Sequence, residues 1–195
     1  MVREKDEIVK TEILEQAQKL FHQYGLKKTT MDEIAAACGK AKSTLYHYFT
    51  SKEEVFDAVI EMELTNLRKQ VKDKVEQQKS ITDKLKTYMV EFQKGSLCMA
   101  NVYRIMNDAN YEQRNTKERF CKMMEFEKSY LQRILFDAYD SGECRNLQKD
   151  DLPLMAELFL AGYFGTVKYM ILTAENYDPE KLERMAEIFT SKLFE

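Results

Sequence analysis

Between Lys42 and Lys52 the chain gathers hydrogen-bond donors: Lys42, Ser43, Thr44, Tyr46, His47, Tyr48 and Lys52 all fall in this one stretch. In a helical conformation Leu45 and Phe49, four apart, share a buried face, and Lys42, Ser43, Tyr46 and His47 lie largely on the other. Such a face cannot break bonds. What it offers is cationic and neutral donors to phosphates and base edges. Other chemistry is poorly provided for, with no Ser-His-Asp spacing, no ligand cluster and no glycine loop to cradle phosphate. The histidines, His22 and His47, and the cysteines, Cys38, Cys98, Cys121 and Cys144, are scattered without a C-x-x-C pair, so no zinc site is spelled out. Buried free thiols are the simple expectation for the cysteines, since a redox sensor needs an exposed thiol of low pKa. No catalytic residue, metal or cofactor is expected.

The elements before and after this stretch position it. Thr30 and Glu33 have capping-box spacing and start a helix near 31–38, in which Ile34, Ala35 and Cys38 face inward. Gly39 supplies the positive φ that ends it and turns the chain. A second short helix, near 42–49, follows. Helix, glycine turn and donor-rich helix make a helix-turn-helix layout, whose second helix enters a major groove. Ser51 with Glu54 repeats the capping spacing, so a further helix begins with Lys52 in its first turn, where amides and lysine together attract phosphate. Upstream, Ile8 or Val9, Ile13, Ala17, Leu20, Phe21 and Tyr24 recur at three and four and predict a helix over 6–24 that ends at Gly25.

Phe21-x-x-Tyr24-Gly25, Thr29-Thr30-x-x-Glu33-Ile34-Ala35, Gly39 and Ser43-Thr44-Leu45-Tyr46-His47-Tyr48-Phe49-x-x-Lys52-Glu53 together resemble the amino-terminal domain of TetR-family transcriptional regulators, over roughly the first third of the chain. The resemblance implies that Lys42, Ser43, Thr44 and Tyr46 meet base edges or backbone, and that Thr30, His47, Tyr48 and Lys52 mainly hold phosphates. Two positions depart from the family pattern. Lys40 stands where a small apolar turn residue is usual, and Ala41 where a Ser or Thr commonly caps the recognition helix; a lost cap costs about 1 kcal/mol. The expected division is a DNA-binding domain over 1–52 and a ligand-binding and dimerisation domain over 53–195.

Charge is distributed to match. The whole chain has a net charge of −3, yet residues 26–52 hold five lysines (27, 28, 40, 42, 52) against Asp32 and Glu33, a local +3. By themselves these lysines would read as a solvated face; joined to the turn-and-helix pattern they point to phosphate. Two Pro and six Gly in 195 residues favour an all-α protein. No apolar run of about 18 residues spans a membrane, and MVREKDEIVK lacks the apolar core of a signal peptide, so a cytoplasmic protein is expected.

Apolar spacing places about nine helices in all. A fourth runs from Lys52 to about residue 78 and a fifth over 81–93 until Gly95 interrupts; a short sixth carries Leu97, Val102, Ile105 and Met106. A seventh spans 115–140 with Gly142 as C-cap, an eighth opens at Asp150 or Asp151 with Pro153 in its first turn, and a ninth opens at Asp178. Gly162 and Gly165 would admit a close helix. The eighth segment, LMAELFLAGYFGTVKYMIL, is apolar almost all round, so it must be buried on more than one side. A four-helix dimer interface of the last two helices with their copies satisfies that need, and the TetR resemblance implies the same. It also implies a homodimer on a palindromic operator with half-sites about 34–36 Å apart, or a multiple of that.

TetR relatives commonly hold a small-molecule cavity, which makes Phe92, Tyr103, Met106, Phe120, Met124 and Phe164 the candidate lining for a small apolar or aromatic effector. The function so implied is sequence-specific DNA binding by a ligand-responsive repressor that the effector releases. The alternative is a helical protein-binding adaptor without specific DNA recognition.

Overall fold

The computed structural model describes residues 2–98, 115–144, 147–173 and 178–191. Among these are eight α-helices, one 3-10 turn and no strand: α1 Val2–Lys28, α2 Met31–Ala37, α3 Lys42–Tyr48, α4 Lys52–Glu76, α5 Ile81–Cys98, α6 Asn115–Asp140, α7 Leu152–Thr173 and α8 Pro179–Ser191, with the 3-10 turn at Lys149–Asp151. The all-α expectation holds. The predicted short helix around Val102–Met106 lies outside the described residues, apart from Leu97, which belongs to α5. The described chain forms two compact units that divide within α4, between Arg68 and Lys69, and again at the end of α5, between Leu97 and Cys98.

In the first unit α1 buries Ile13, Leu14, Ala17 and Phe21, and the Phe21 ring meets Phe56 of α4 edge to face at 5.1 Å. The helix is broken at Gly25 (φ 78°, ψ 163°), as its glycine predicts; helical hydrogen bonding resumes to Lys28 and lets Leu26 turn inward. Ile8 and Tyr24, placed on the predicted apolar stripe, are instead exposed. A stripe drawn by spacing alone runs past the part of a helix that has something to pack on. Thr30 caps α2 with the full capping box, its hydroxyl accepting from the Glu33 amide while the Glu33 carboxylate accepts from the Thr30 amide at 2.8 Å. Gly39 (φ 63°) closes α2, and the Lys40 amide reaches back to the Ala35 carbonyl at 3.0 Å, a Schellman turn.

In the second unit the large buried side chains include Tyr88 and Phe92 of α5, Leu131 and Leu135 of α6 and Phe159 and Tyr163 of α7. Two starts are capped, that of α5 twice. The Ser80 hydroxyl accepts from the Asp83 amide at 3.1 Å, the Glu143 carboxylate takes the Ile81 amide at 2.8 Å, and Asp178 takes the Glu180 amide at 3.0 Å. Gly142 (φ 82°) ends α6 in a second Schellman turn, with the Glu143 amide on the Ala138 carbonyl at 2.9 Å. Gly95, expected to interrupt α5, does not: the helix continues to Cys98. Asp150 and Asp151 sit within the 3-10 turn that leads into α7. Gly162 does allow a close approach, since a Cβ there would stand 2.9 Å from the Phe189 ring of α8, whereas nothing lies within 4 Å of one at Gly165.

Candidate nucleic-acid interface

Recognition helix α3 is short, and its orientation rests on two anchors. Leu45 is 1% exposed and Phe49, its C-cap residue, 2%, so one face is pinned into the first unit. Lys42, Ser43, Tyr46 and His47 are exposed opposite that face, with Thr44 and Tyr48 at its edge. Ala41, in extended conformation at the N-cap, makes no side-chain cap bond, so α3 starts on backbone bonds alone, from Thr44 and Leu45 to the Ala41 carbonyl.

The outward residues are held by neighbours. Lys42 Nζ lies 2.7 Å from Asp32 Oδ1 and over the Tyr46 ring at 5.9 Å. Tyr48 Oη donates to Asp6 Oδ1 at 3.0 Å, and the His47 ring stands edge-on to Tyr48 at 5.1 Å. Lys40 Nζ pairs with Glu12 Oε2 at 2.9 Å, which gives the unusual turn lysine a fixed place against α1. The hydrogen bonds that Lys42 and Lys40 donate to Asp32 and Glu12 raise the pKa of both lysines, and the bond to Asp6 raises that of Tyr48, so all three donors keep their protons. Thr30, expected to hold a phosphate, has its hydroxyl engaged with Glu33. Lys52 is the first residue of α4, in a turn it shares with Glu53 and Glu54.

A joint on the same unit was not legible from motif spacing. Glu63 of α4 is 7% exposed, and its Oε1 is reached by Gln18 Nε2 at 2.6 Å and His22 Nε2 at 2.9 Å. His22 is thus a satisfied helix residue.

Of the candidate ligand residues, Phe92, Phe120, Met124 and Phe164 belong to the second unit. Tyr88 stacks on Phe92 at 5.4 Å and faces Tyr130, Phe159 and Tyr163 at 6.1, 5.9 and 6.3 Å. Its hydroxyl donates to Glu127 Oε2 at 2.8 Å, a carboxylate only 1% exposed. Burial, then the Glu127 charge, drive the Tyr88 pKa well up. Of the six candidates Phe92 belongs to this cluster, Phe164 meets Tyr163 edge-on at 5.0 Å, and Met124 is half-buried. Tyr103 and Met106 lie outside the described residues, as does the side chain of Phe120. Tyr88, Tyr163 and Glu127 were missed as a group. The signal for Glu127 was present: a carboxylate at helical spacing from Met123, Met124, Tyr130 and Leu131 sits on the apolar stripe.

Cys144 is buried and Cys38 half-buried, and burial raises both thiol pKa values; Cys121 is exposed, contrary to the expectation of buried thiols. Among the described residues no three His, Cys, Asp or Glu group to hold a metal, and no helix is long and apolar enough to cross a membrane.

A pinned short helix after a Schellman turn, with its donor face outward, defines a helix-turn-helix DNA-binding protein. The family model for bacterial regulatory proteins of the tetR family matches residues 13–59, which run from Ile13 of α1 to Val59 of α4. Over that region the chain is similar to the helix-turn-helix domain of tetR-family transcriptional regulators. The HTH-type transcriptional regulator YhgD of Bacillus subtilis is 43% identical over 65 residues, which are 33% of this chain and 32% of YhgD, so that match spans about a third of that relative. YvaF, an HTH-type regulator from the same organism, is 26% identical over 86% of this chain and 80% of its own.

Three solved structures share the fold. A transcriptional regulator from Cytophaga hutchinsonii has TM-score 0.72 at 25% identity, covering 93% of this chain and 94% of that one. The regulator FadR from Bacillus subtilis in complex with stearoyl-CoA has TM-score 0.71 at 16% identity, covering 92% and 96%. AibR in complex with isovaleryl coenzyme A and operator DNA has TM-score 0.57 at 22% identity, covering 95% and 98%.

Proposed function

We propose that the chain is a ligand-responsive transcriptional repressor that binds a palindromic operator as a homodimer and is released by an acyl-CoA. The observation that carries the DNA-binding part is the donor face of α3; on this reading Lys42, Ser43, Thr44 and Tyr46 meet base edges or backbone, and Thr30, His47, Tyr48 and Lys52 hold phosphates. The homodimer is supported by an apolar face on the last two helices, where Leu154, Leu158 and Tyr169 of α7 and Ile188 of α8 are all more than half exposed. The effector class is supported by the aromatic cluster around Tyr88 and Phe92 and by the acyl-CoA bound in FadR and AibR. Helix α4 runs unbroken from the first unit into the second. An effector that prefers the conformation whose heads miss the half-site spacing lowers DNA affinity by the coupling energy, typically about 1–3 kcal/mol or roughly 5–150-fold.

Selection of purified protein on a random-sequence duplex pool tests this. It should return an inverted repeat, and stearoyl-CoA or isovaleryl-CoA should then weaken binding to the selected duplex. A pool without a consensus removes the DNA reading and favours an adaptor; a consensus indifferent to both thioesters removes the effector class.

A further inference from the structure

The recognition element of the free protein is already occupied by anions of its own. Lys42 and Tyr48, two of the eight residues assigned to DNA, are held by Asp32 of α2 at 2.7 Å and Asp6 of α1 at 3.0 Å. Beside them Lys40 of the turn is held by Glu12 of α1 at 2.9 Å. Two of these contacts differ from the third. The Lys40 side chain is 22% exposed and braces the turn, but those of Lys42 and Asp32 are 58% and 65% exposed, and Asp6 is exposed too. Each of the outer carboxylates thus sits where a backbone phosphate would approach the same donor. A lysine or phenol cannot give its full strength to a phosphate while a carboxylate holds it.

We propose that Asp6 and Asp32 act as built-in stand-ins for DNA phosphate, occupying Tyr48 and Lys42 until a duplex displaces them. The inference rests on the DNA-binding reading above. Displacement opposes every sequence alike, because phosphate contacts carry no sequence information. The pair therefore lowers absolute affinity and the non-specific background and leaves base discrimination to Tyr46 and its neighbours. The geometry also explains how a chain of net charge −3 can carry a cationic recognition face without clinging to any polyanion.

The test is a salt titration of full-length protein with a mixed-sequence duplex of no selected motif, comparing wild type, Asp32→Asn, Asp6→Asn and Asp73→Asn. Asp73 lies exposed on α4, outside the proposed interface, and controls for the charge change alone. The expected result is a rise in affinity of roughly two- to five-fold for each of the first two variants, the size of an exposed ion pair. The dependence of log K on log salt should steepen by up to about 0.9 for Asp32→Asn, which frees a cation to neutralise a phosphate, and stay near that of wild type for Asp6→Asn, which frees a neutral phenol. Asp73→Asn should match wild type, and adding Lys42→Met to Asp32→Asn should abolish that variant's gain. If Asp32→Asn and Asp6→Asn follow wild type, or Asp73→Asn gains as much, the proposal is overturned while the DNA-binding reading stands. If no form associates with duplex even in dilute salt, that reading fails and the proposal with it.

Discussion

At the scale of single residues, the recognition helix is under-capped and the helix after it is over-supplied. Ala41 has the extended backbone of an N-cap and no side-chain acceptor. Ala41→Ser should stabilise the protein by about 1 kcal/mol, measured by denaturant unfolding. The missing cap was readable from residue type. The start of α4 was only half readable: the Glu54 amide donates to the Ser51 hydroxyl at 3.1 Å, as the capping spacing implies, but the Glu54 carboxylate passes over the Ser51 amide to take the amide and hydroxyl of Thr50 at 2.6 and 2.8 Å. How far a carboxylate reaches back depends on backbone angles that residue spacing does not encode. Those two bonds lower the Glu54 pKa from 4.5. The folded value lies below the unfolded one, so this contribution is full above about pH 4.5 and is lost as pH falls through the lowered value. Unfolding followed from pH 6 down to about pH 3 should show wild type losing more stability than Glu54→Gln.

At the scale of elements, the boundaries that followed from backbone demands were legible, and those that depended on tertiary packing were not. Gly39 and Gly142 have positive φ and end helices, as sequence reading places them. Gly95 was read by the same rule and stays helical, because Phe92 and Gln93 one turn earlier are buried and the packed helix outweighs a propensity deficit of about 1 kcal/mol. Glycine spacing in α7 was half right for a related reason: which of Gly162 and Gly165 meets a neighbour depends on where Phe189 arrives. Gly162→Val should push that ring off Phe159, 5.7 Å away, and destabilise the fold by about 1–3 kcal/mol in thermal or denaturant unfolding. In the nucleic-acid interface the outward set on α3 was legible from the Leu45 and Phe49 register. The carboxylates on Lys42 and Tyr48 were not, since Asp6 and Tyr48 are 42 residues apart in the chain.

At the scale of the whole molecule, α7 has more apolar surface than one chain covers. Leu158 is 65% exposed and Leu154 58%, one turn apart on the same face. In the proposed homodimer both are buried, so Leu158→Glu should yield a monomer by light scattering while keeping the helical content of wild type. Losing the dimer should also weaken binding to an inverted repeat far more than binding to a half-site.

The central claim, that α3 reads sequence while its flanks hold backbone, is tested most directly by one comparison. Affinities of wild type, Tyr46→Ala and Lys52→Ala are measured for the selected duplex and for a scrambled one across a salt series. Tyr46→Ala should shrink the ratio of the two affinities, and Lys52→Ala should weaken both equally and flatten the salt dependence by about one unit of slope. Equal behaviour of the two variants, or no preference of wild type for the selected duplex, would contradict the account.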